Sequence, residues 1–213
     1  MKHKREIRTI AAFRWWYLVF FGAALLLLAS FYLDEGAQAW IAHYQNAAVR
    51  QFMEAVSRFG DWPGHVAVAL ILLGLAYWRR SKKWMRIFAA MLLACALAGI
   101  AARVIKISTG RARPNIQTEA EWSGPRFSAR YNAFPSGHTA SSTAFFATLA
   151  IASWRIGLAF LWVPLLIAFS RMYVGAHYLS DVVCAAILGM LAAYFVGRWM
   201  LPTIAIRKSE IEN

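Results

Sequence analysis

Long apolar runs separated by short polar segments dominate the chain. Six runs can be recognised, at about residues 15–33, 63–78, 87–106, 138–154, 156–171 and 179–201. A helix needs roughly 20 apolar residues to cross a bilayer. Several runs are shorter, so we expect their ends to extend into polar residues that face protein rather than lipid. The pattern predicts an all-α integral membrane bundle of six transmembrane helices, forming a single domain over residues 1–213.

A different periodicity appears over residues 37–60, between the first two runs. Apolar residues recur every three or four positions, and polar residues occupy another face. Arg50, Glu54 and Arg58 are spaced by four, which lets opposite charges pair on a helix. The pattern predicts an amphipathic helix on the membrane surface. Two roles fit it equally: a connector packed on the bundle, or a contributor to substrate binding.

Composition also indicates a membrane protein. Of the 213 residues, 60% are hydrophobic and 15% are charged, whereas soluble domains average about half and a quarter. The two cysteines, Cys95 and Cys184, both lie inside apolar runs. A cysteine in such a run is typically a small core residue rather than half of a disulfide or a metal ligand.

The net charge of +13 comes from cations that flank the apolar runs. This distribution is typical of membrane proteins and argues against a nucleic-acid partner. With a cytoplasmic N-terminus, 14 of the 23 Lys and Arg residues fall on cytoplasmic segments. Cytoplasmic loops are enriched in Lys and Arg, so we expect both termini in the cytoplasm. By analogy, the minimal six-span build favours a multi-pass protein of a bacterial inner membrane.

Three polar clusters stand at the ends of apolar runs, on the side opposite the cytoplasm. They read KISTGRARP at 106–114, PSGH at 135–138 and SRMYVGAHYLSD at 170–181. Ionisable groups at membrane depth cost free energy, so three groups of them on one face indicate a functional site. Each residue alone has an ordinary structural explanation, whereas their convergence favours function.

The residue types in the clusters suit a phosphate group. Lys106, Arg113 and Arg171 supply fixed cations, and the planar fork of Arg matches phosphate oxygens. Ser136 and Gly137 stand where a helix begins, and the free N–H groups of a helix start favour a bound anion. We therefore expect these five residues to bind phosphate.

His177, Asp181 and His138 add the chemistry of catalysis. His177 and Asp181 are four residues apart and can share a helix face. A carboxylate bonded to one imidazole nitrogen leaves the other free for attack, and His is an established covalent nucleophile. His138 can donate a proton to the leaving oxygen. The set predicts phosphoryl transfer through a phosphohistidine, without a metal or cofactor, because cations already neutralise the phosphate.

Four further arginines have less certain roles. Arg111 lies in the first cluster, and Arg126 and Arg130 lie in the loop before the second; all three are candidate contacts for a lipid headgroup. Arg103 is one turn before Lys106 and either joins the site or extends its charged end to the membrane interface. Loop cations are often merely solvated, so a structural role remains open for each.

In order, the three clusters resemble the tripartite signature of the type 2 phosphatidic acid phosphatase superfamily. The matching positions are Lys106-x6-Arg113-Pro114, Pro135-Ser136-Gly137-His138 and Ser170-Arg171-x5-His177-x3-Asp181. The resemblance implies a six-helix bundle with its site on the outer face, and metal-independent hydrolysis of lipid phosphate or diphosphate esters. It implies His177 as nucleophile, Asp181 as its orienting partner and His138 as general acid.

The expected partners are the bilayer and a membrane lipid phosphate. Undecaprenyl diphosphate, phosphatidylglycerol phosphate, phosphatidic acid and a lipid A phosphate all fit, and neither the lipid nor an oligomeric state can be read from the sequence. A lipid phosphotransferase would use the same site, and a non-catalytic lipid-phosphate binding or transport protein would keep the basic pocket. A vanadate-dependent haloperoxidase shares the signature, but the hydropathy disfavours a soluble oxidase.

Overall fold

The computed structural model describes the backbone of residues 2–15 and all atoms of residues 16–116, 118 and 120–201. Arg207 and Lys208, two of the predicted cytoplasmic cations, lie outside the described residues, as do the side chains of the cations before residue 16. The described chain is all-helical, as predicted. Its α-helices are α1 (Lys2–Tyr32), α2 (Asp34–His43), α3 (Ala47–Phe59), α4 (Trp62–Trp78), α5 (Lys82–Thr109), α6 (Gly137–Ala152), α7 (Trp154–Phe160), α8 (Trp162–Tyr173) and α9 (Leu179–Met200), and a short 3-10 helix covers Ala129–Tyr131.

Three helical segments of the described chain are long and apolar enough to cross a membrane. They are α5, the segment Trp154–Tyr173 formed by α7 and α8, and α9. Two bent pairs raise the number to five if each pair is one span: α1 with α2, bent by 54°, and α3 with α4, bent by 55°. The chain is an integral membrane protein, but the predicted count of six spans is not confirmed.

The short helix α6 lies inside the bundle and packs mainly against α5 and α9. Its 16 residues extend about 24 Å at 1.5 Å per residue, less than the roughly 30 Å of hydrocarbon core. Ser142 and Thr148 are buried within it, and both donate hydrogen bonds to carbonyl oxygens of the preceding turn. The neighbouring helices therefore shield the polar side chains of α6 from lipid.

Small residues form the contact between α5, α6 and α9. The fully buried alanines include Ala94, Ala98, Ala102, Ala140, Ala144 and Ala185. Because lipid is as apolar as Leu, membrane helices associate through close packing, which small residues allow. Gly189 of α9 is one such position, since a Cβ there would lie 2.6 Å from the Ala140 carbonyl oxygen. The backbones of α6 and α9 thus approach too closely for a side chain.

The segment predicted as one surface helix over 37–60 consists of two helices. The first, α2, ends at His43, and Asn46 caps the start of α3 by accepting hydrogen bonds from the N–H groups of Ala48 and Val49. Asn is among the preferred residues at a helix N-cap, which accounts for the break. The helix α3 packs against α8 and buries Ser57, so it belongs to the bundle.

We expect Gly189→Val to destabilise the bundle. A side chain at this position collides with the backbone of α6, so α6 and α9 must separate. Overpacking of this kind costs about 1–3 kcal/mol, and each kcal/mol lowers Tm by about 2–4 °C in a chain of this size. Thermal unfolding of the detergent-purified protein measures the loss.

Gly74→Val in α4 is the matched control, because a Cβ at Gly74 meets no atom within 4 Å. The control should keep a Tm close to that of the wild type. Equal losses in the two variants would mean that valine acts through helix propensity rather than through the α6–α9 contact.

Candidate active site

The three polar clusters converge at one end of the bundle. The C-terminal ends of α5 and α8 meet the N-terminal ends of α6 and α9 there. The Ser136 N–H donates to the Asp181 carbonyl oxygen at 3.1 Å, which joins the second cluster to the third. Arg111 donates to the Asp181 carboxylate at 2.7 Å, which joins the first cluster to the third. Segments up to 70 positions apart in sequence therefore form one site.

His177 is buried in the turn between α8 and α9, with 1% of its surface exposed. Gly175 has a φ of 72°, a left-handed conformation that suits glycine. The turn lets the N–H groups of Ala176 and His177 both donate to the Arg171 carbonyl oxygen, at 3.1 and 3.2 Å. Nδ1 of His177 lies 3.4 Å from Oδ2 of Asp181 but lacks hydrogen-bond geometry to any described residue. The backbone, more than the carboxylate, holds the ring in this structure.

The charge state of His177 follows from its surroundings. Burial lowers the pKa of His177 well below its ordinary value, and the positive charges of Lys106, Arg171 and Arg113 lower it further. The imidazole is therefore neutral at physiological pH. A neutral imidazole carries the lone pair that a nucleophile or base requires.

Two hydrogen bonds fix the carboxylate of Asp181 beside that ring. Oδ2 accepts from the Tyr178 N–H at 2.8 Å, as part of the capping box at the start of α9. Oδ1 accepts from Nη1 of Arg111 at 2.7 Å. Asp181 is fully buried, so both its charge and its orientation depend on these donors.

Arg111 lies at the centre of a buried ion-pair network, not at an exposed headgroup position. Only 2% of its surface is exposed, and its guanidinium pairs with Asp34 and Asp181 at 2.7 Å and with Glu121 at 2.5 Å. Burial alone would lower the pKa of Arg111, but these acids outweigh it and hold the pKa above its ordinary value. Its guanidinium carbon also lies 4.0 Å from the ring centre of Tyr178. The geometry favours a structural role for Arg111.

Asp34, which no sequence pattern assigned to the site, completes the network. It is the first residue of α2 and is 4% exposed. Its carboxylate accepts from the N–H and the hydroxyl of Ser180, at 2.8 and 2.5 Å, as well as from Arg111. Asp34 therefore ties the bend between α1 and α2 to the start of α9. In the sequence, the feature that could have indicated this role is an acidic residue placed directly after an uncharged apolar run.

Three of the predicted phosphate ligands lie within electrostatic reach of His177: Lys106, Arg113 and Arg171. Nε of Arg113 and Nε of Arg171 are buried and have no hydrogen-bond partner among the described residues. A buried donor without a partner costs free energy. The oxygens of a phosphate group at this position would satisfy both.

The helix α3 contributes to the position of Arg171. Nη1 of Arg171 donates to the hydroxyl of Ser57, which is buried on α3. The segment whose role the sequence left open thus supports a predicted phosphate ligand. Ser57 was missed because a serine on an amphipathic helix carries no distinguishing pattern.

The PSGH cluster forms the start of α6. Ser136 is the N-cap and accepts a hydrogen bond from the Thr139 hydroxyl at 3.0 Å. A Cβ at Gly137 would meet no atom within 4 Å, so the helix end borders open space. Nε2 of His138 lies 3.5 Å from Oδ1 of Asp61, a residue outside all three clusters. These positions leave room for an anion at the helix start, and phosphate binding by Ser136 and Gly137 stays a prediction.

A groove of about 1030 Å³ runs between α4, α5 and α6 to the same end of the bundle. Its lining is largely apolar and includes Leu73, Leu93 and Ile100, with Lys106 and His138 among the few polar residues. Ligand sites commonly combine an apolar wall with a few convergent polar groups. The shape and lining fit an amphiphile with an anionic head.

The other two candidate headgroup contacts lie in the exposed loop before α6. Arg126 stacks 4.6 Å from the ring centre of Tyr131, and the carbonyl oxygen of Arg130 accepts from the Arg113 N–H at 3.1 Å. Both arginine side chains are exposed. A headgroup contact by either side chain stays a prediction.

We expect Asp34→Ala to lower both stability and activity. The change removes one of the two buried carboxylates that pair with Arg111 and leaves the Ser180 N–H without its acceptor, and removing one member of a buried ion pair costs about 3–5 kcal/mol. Because Arg111 also holds Asp181, phosphatase activity should fall with Tm in detergent. Glu35→Ala is the control, since this neighbouring acid is exposed. The network is unimportant if the two variants behave alike.

Sequence comparisons connect this site with characterised proteins. The family model of the PAP2 superfamily matches residues 83–204, which contain all three clusters. A lipid A 1-phosphatase of Rhizobium etli is 32% identical over 164 residues, or 70% of each chain. A lipid A 1-phosphatase of Rhizobium johnstonii is 31% identical over 67% of this chain and 64% of its own length. A lipid A 1-phosphatase of Porphyromonas gingivalis is 30% identical over 62% of this chain and 27% of its own length.

Two solved structures share the fold. LpxE of Aquifex aeolicus superposes with a TM-score of 0.61 at 21% identity, over 78% of this chain and 95% of its own. A transmembrane PAP2-type phosphatidylglycerolphosphate phosphatase of Bacillus subtilis superposes with a TM-score of 0.65 at 18% identity, over 86% and 94%. At these identities the likeness concerns the arrangement of the helices.

Proposed function

Because the chain belongs to the PAP2 superfamily and is a lipid phosphatase, we propose that it removes phosphate from a membrane lipid through a phosphohistidine on His177. The observation that most supports this proposal is the position of the buried His177 imidazole. It stands beside Asp181 and within electrostatic reach of Lys106, Arg113 and Arg171. A neutral nucleophile surrounded by fixed cations is the arrangement that attack on a phosphate ester needs.

The first step forms a bond between Nε2 of His177 and phosphorus. Nδ1 faces the Asp181 carboxylate, which favours the tautomer with hydrogen on Nδ1 and the lone pair on Nε2. The bond from phosphorus to the lipid oxygen breaks, and His138 gives its proton to that oxygen. Arg113 and Arg171, whose Nε donors are unpartnered in the described structure, bind the equatorial oxygens as negative charge develops.

The second step returns the enzyme to its starting state. Water attacks the phosphohistidine while His138, now neutral, accepts a proton from that water. The bond from phosphorus to Nε2 breaks, and inorganic phosphate leaves. Fixed cations stabilise both steps, so the proposed reaction uses no metal. In the part of the chain that the structure describes, no three His, Cys, Asp or Glu side chains form a group suited to a metal ion.

A lipid A type of glycolipid phosphate is the substrate we favour. Three relatives at 30–32% identity are lipid A 1-phosphatases. The groove beside His138 offers an apolar wall to the acyl part of the lipid. Phosphatidylglycerol phosphate, phosphatidic acid and undecaprenyl diphosphate carry the same terminal group, so the choice rests on the relatives rather than on the phosphate site.

We place this site on the outer, periplasmic face of a bacterial inner membrane, with both termini in the cytoplasm. The support is the excess of Lys and Arg at the opposite ends of the helices. Helices α5, α6, α8 and α9 all present their clustered ends on one side. Access from outside the cytoplasm suits a lipid phosphate exposed in the outer leaflet.

We expect the purified protein to release phosphate from at least one lipid of a panel in excess EDTA, with lipid A 1-phosphate as the best substrate. His177→Ala should reduce the rate by a factor on the order of 10³ or more, because it removes the nucleophile. His43→Ala, an exposed histidine of α2, should retain the wild-type rate. The readout is inorganic phosphate per protein.

Three results would count against this mechanism. Activity that disappears in EDTA and returns with a divalent cation would contradict a metal-free reaction. A wild-type rate in His177→Ala would remove His177 as nucleophile. Phosphate transfer that requires an added lipid alcohol, without release to water, would make the protein a phosphotransferase.

We expect vanadate to inhibit competitively against the lipid substrate. Vanadate adopts the trigonal-bipyramidal geometry of the transferring phosphoryl group, and transition-state analogues bind far more tightly than substrates. Arg171→Ala should weaken this inhibition, since one of the ligands is lost. Initial rates at several vanadate concentrations test the prediction, and a site indifferent to millimolar vanadate would contradict the geometry.

A further inference from the structure

Asp61 is an acid at the active site that belongs to none of the three clusters. It precedes α4, and Oδ1 accepts a hydrogen bond from the Trp62 N–H at 2.8 Å as the helix cap. The same oxygen lies 3.5 Å from Nε2 of His138. The side chain of Asp61 is 41% exposed and that of His138 is 22% exposed. Asp61 is therefore the more exposed member of this pair.

The other charged groups facing His138 work against its protonation. Burial opposes it most, and Arg171 of α8, Lys106 of α5 and His65 of α4 act in the same direction. His177, in the turn before α9, interacts with it as well. A general acid must nevertheless carry a proton before the chemical step. Asp61 is the carboxylate in contact with the ring, and an opposite charge at this distance favours the charged form.

We propose that Asp61 is a positioning residue that favours the protonated state of His138 needed to expel the lipid oxygen. The proposal rests on the proposed function of His138 and assigns a determinant of the reaction outside the signature. In the imidazolium both ring nitrogens carry hydrogen. One N–H can face Asp61 while the other transfers its proton to the leaving oxygen.

The proton balance closes without any change in Asp61. His138 becomes neutral when the bond from phosphorus to the lipid oxygen breaks, because the oxygen takes the proton. His138 regains a proton from the water that hydrolyses the phosphohistidine. Asp61 remains a carboxylate throughout and acts by its charge and position.

Asp61→Asn separates this role from helix capping. Asn and Asp are comparable at the N-cap, so the variant should keep the start of α4 while losing the negative charge. Asp61→Glu keeps the charge and should restore much of the wild-type behaviour. Glu54→Gln removes an exposed carboxylate from α3 and serves as the matched control for loss of one negative charge.

The readout is the pH dependence of kcat/KM for the full chain in detergent, with the lipid phosphate that the wild type hydrolyses fastest as probe. Without Asp61, His138 loses its proton at lower pH. The fall of kcat/KM on the basic side of the pH profile (the basic limb) should therefore shift to lower pH by about one unit. Above that limb, kcat/KM should fall about tenfold, while the rate at lower pH is largely kept. Asp61→Glu and Glu54→Gln should keep the wild-type limb.

An unchanged pH profile in Asp61→Asn overturns the proposal and leaves Asp61 as a cap alone. A uniform loss at every pH, with a lowered Tm, overturns it as well, because it indicates a structural effect. His138→Ala is measured in parallel. A wild-type rate in that variant would overturn the acid role of His138, and thus the proposed function, whatever Asp61→Asn does.

Discussion

The requirement that a buried charge be paired organises the catalytic end of this protein. Arg111 is buried and satisfied by Asp34 and Asp181, and each of these contacts belongs to a different part of the chain. Asp34 brings the bend between α1 and α2 to the start of α9, and Asp181 stands beside His177. Loss of Arg111 would leave the buried carboxylates of Asp34 and Asp181 without this cation in a medium of low dielectric constant. The carboxylate beside the proposed nucleophile is thus held by an ion pair outside the reacting groups.

The arginines at this end of the bundle differ in what they contact. Arg111 has acids around its guanidinium, so its donors are engaged in the folded chain. Arg113 and Arg171 each keep a buried Nε donor without a described partner. A cation already neutralised stabilises the fold, whereas a cation held without a counter-ion is ready for an anionic ligand.

The sequence predicted the helical class, the convergence of three clusters and the family, because these depend on local patterns. It could not predict Asp34, Ser57 or Asp61 as neighbours of the site, since each reaches it through packing between distant helices. From the sequence, Arg111 was grouped with the candidate headgroup contacts, because the sequence does not reveal whether an arginine is paired with acids in the folded chain. The predicted count of six spans included α6. This helix is short, and α5 and α9 shield its polar residues from lipid.

The unequal lengths of α5 and α6 bear on how a lipid could present its phosphate. The 28 residues of α5 extend about 42 Å, whereas α6 extends about 24 Å. The groove between them carries Lys106 and His138 together with an apolar wall. An amphiphile in this groove can place its phosphate at the start of α6 while its chain stays against Leu93 and Ile100. The substrate then need not leave the bilayer, and an anion in this partly desolvated site interacts more strongly with the surrounding cations than it would in water.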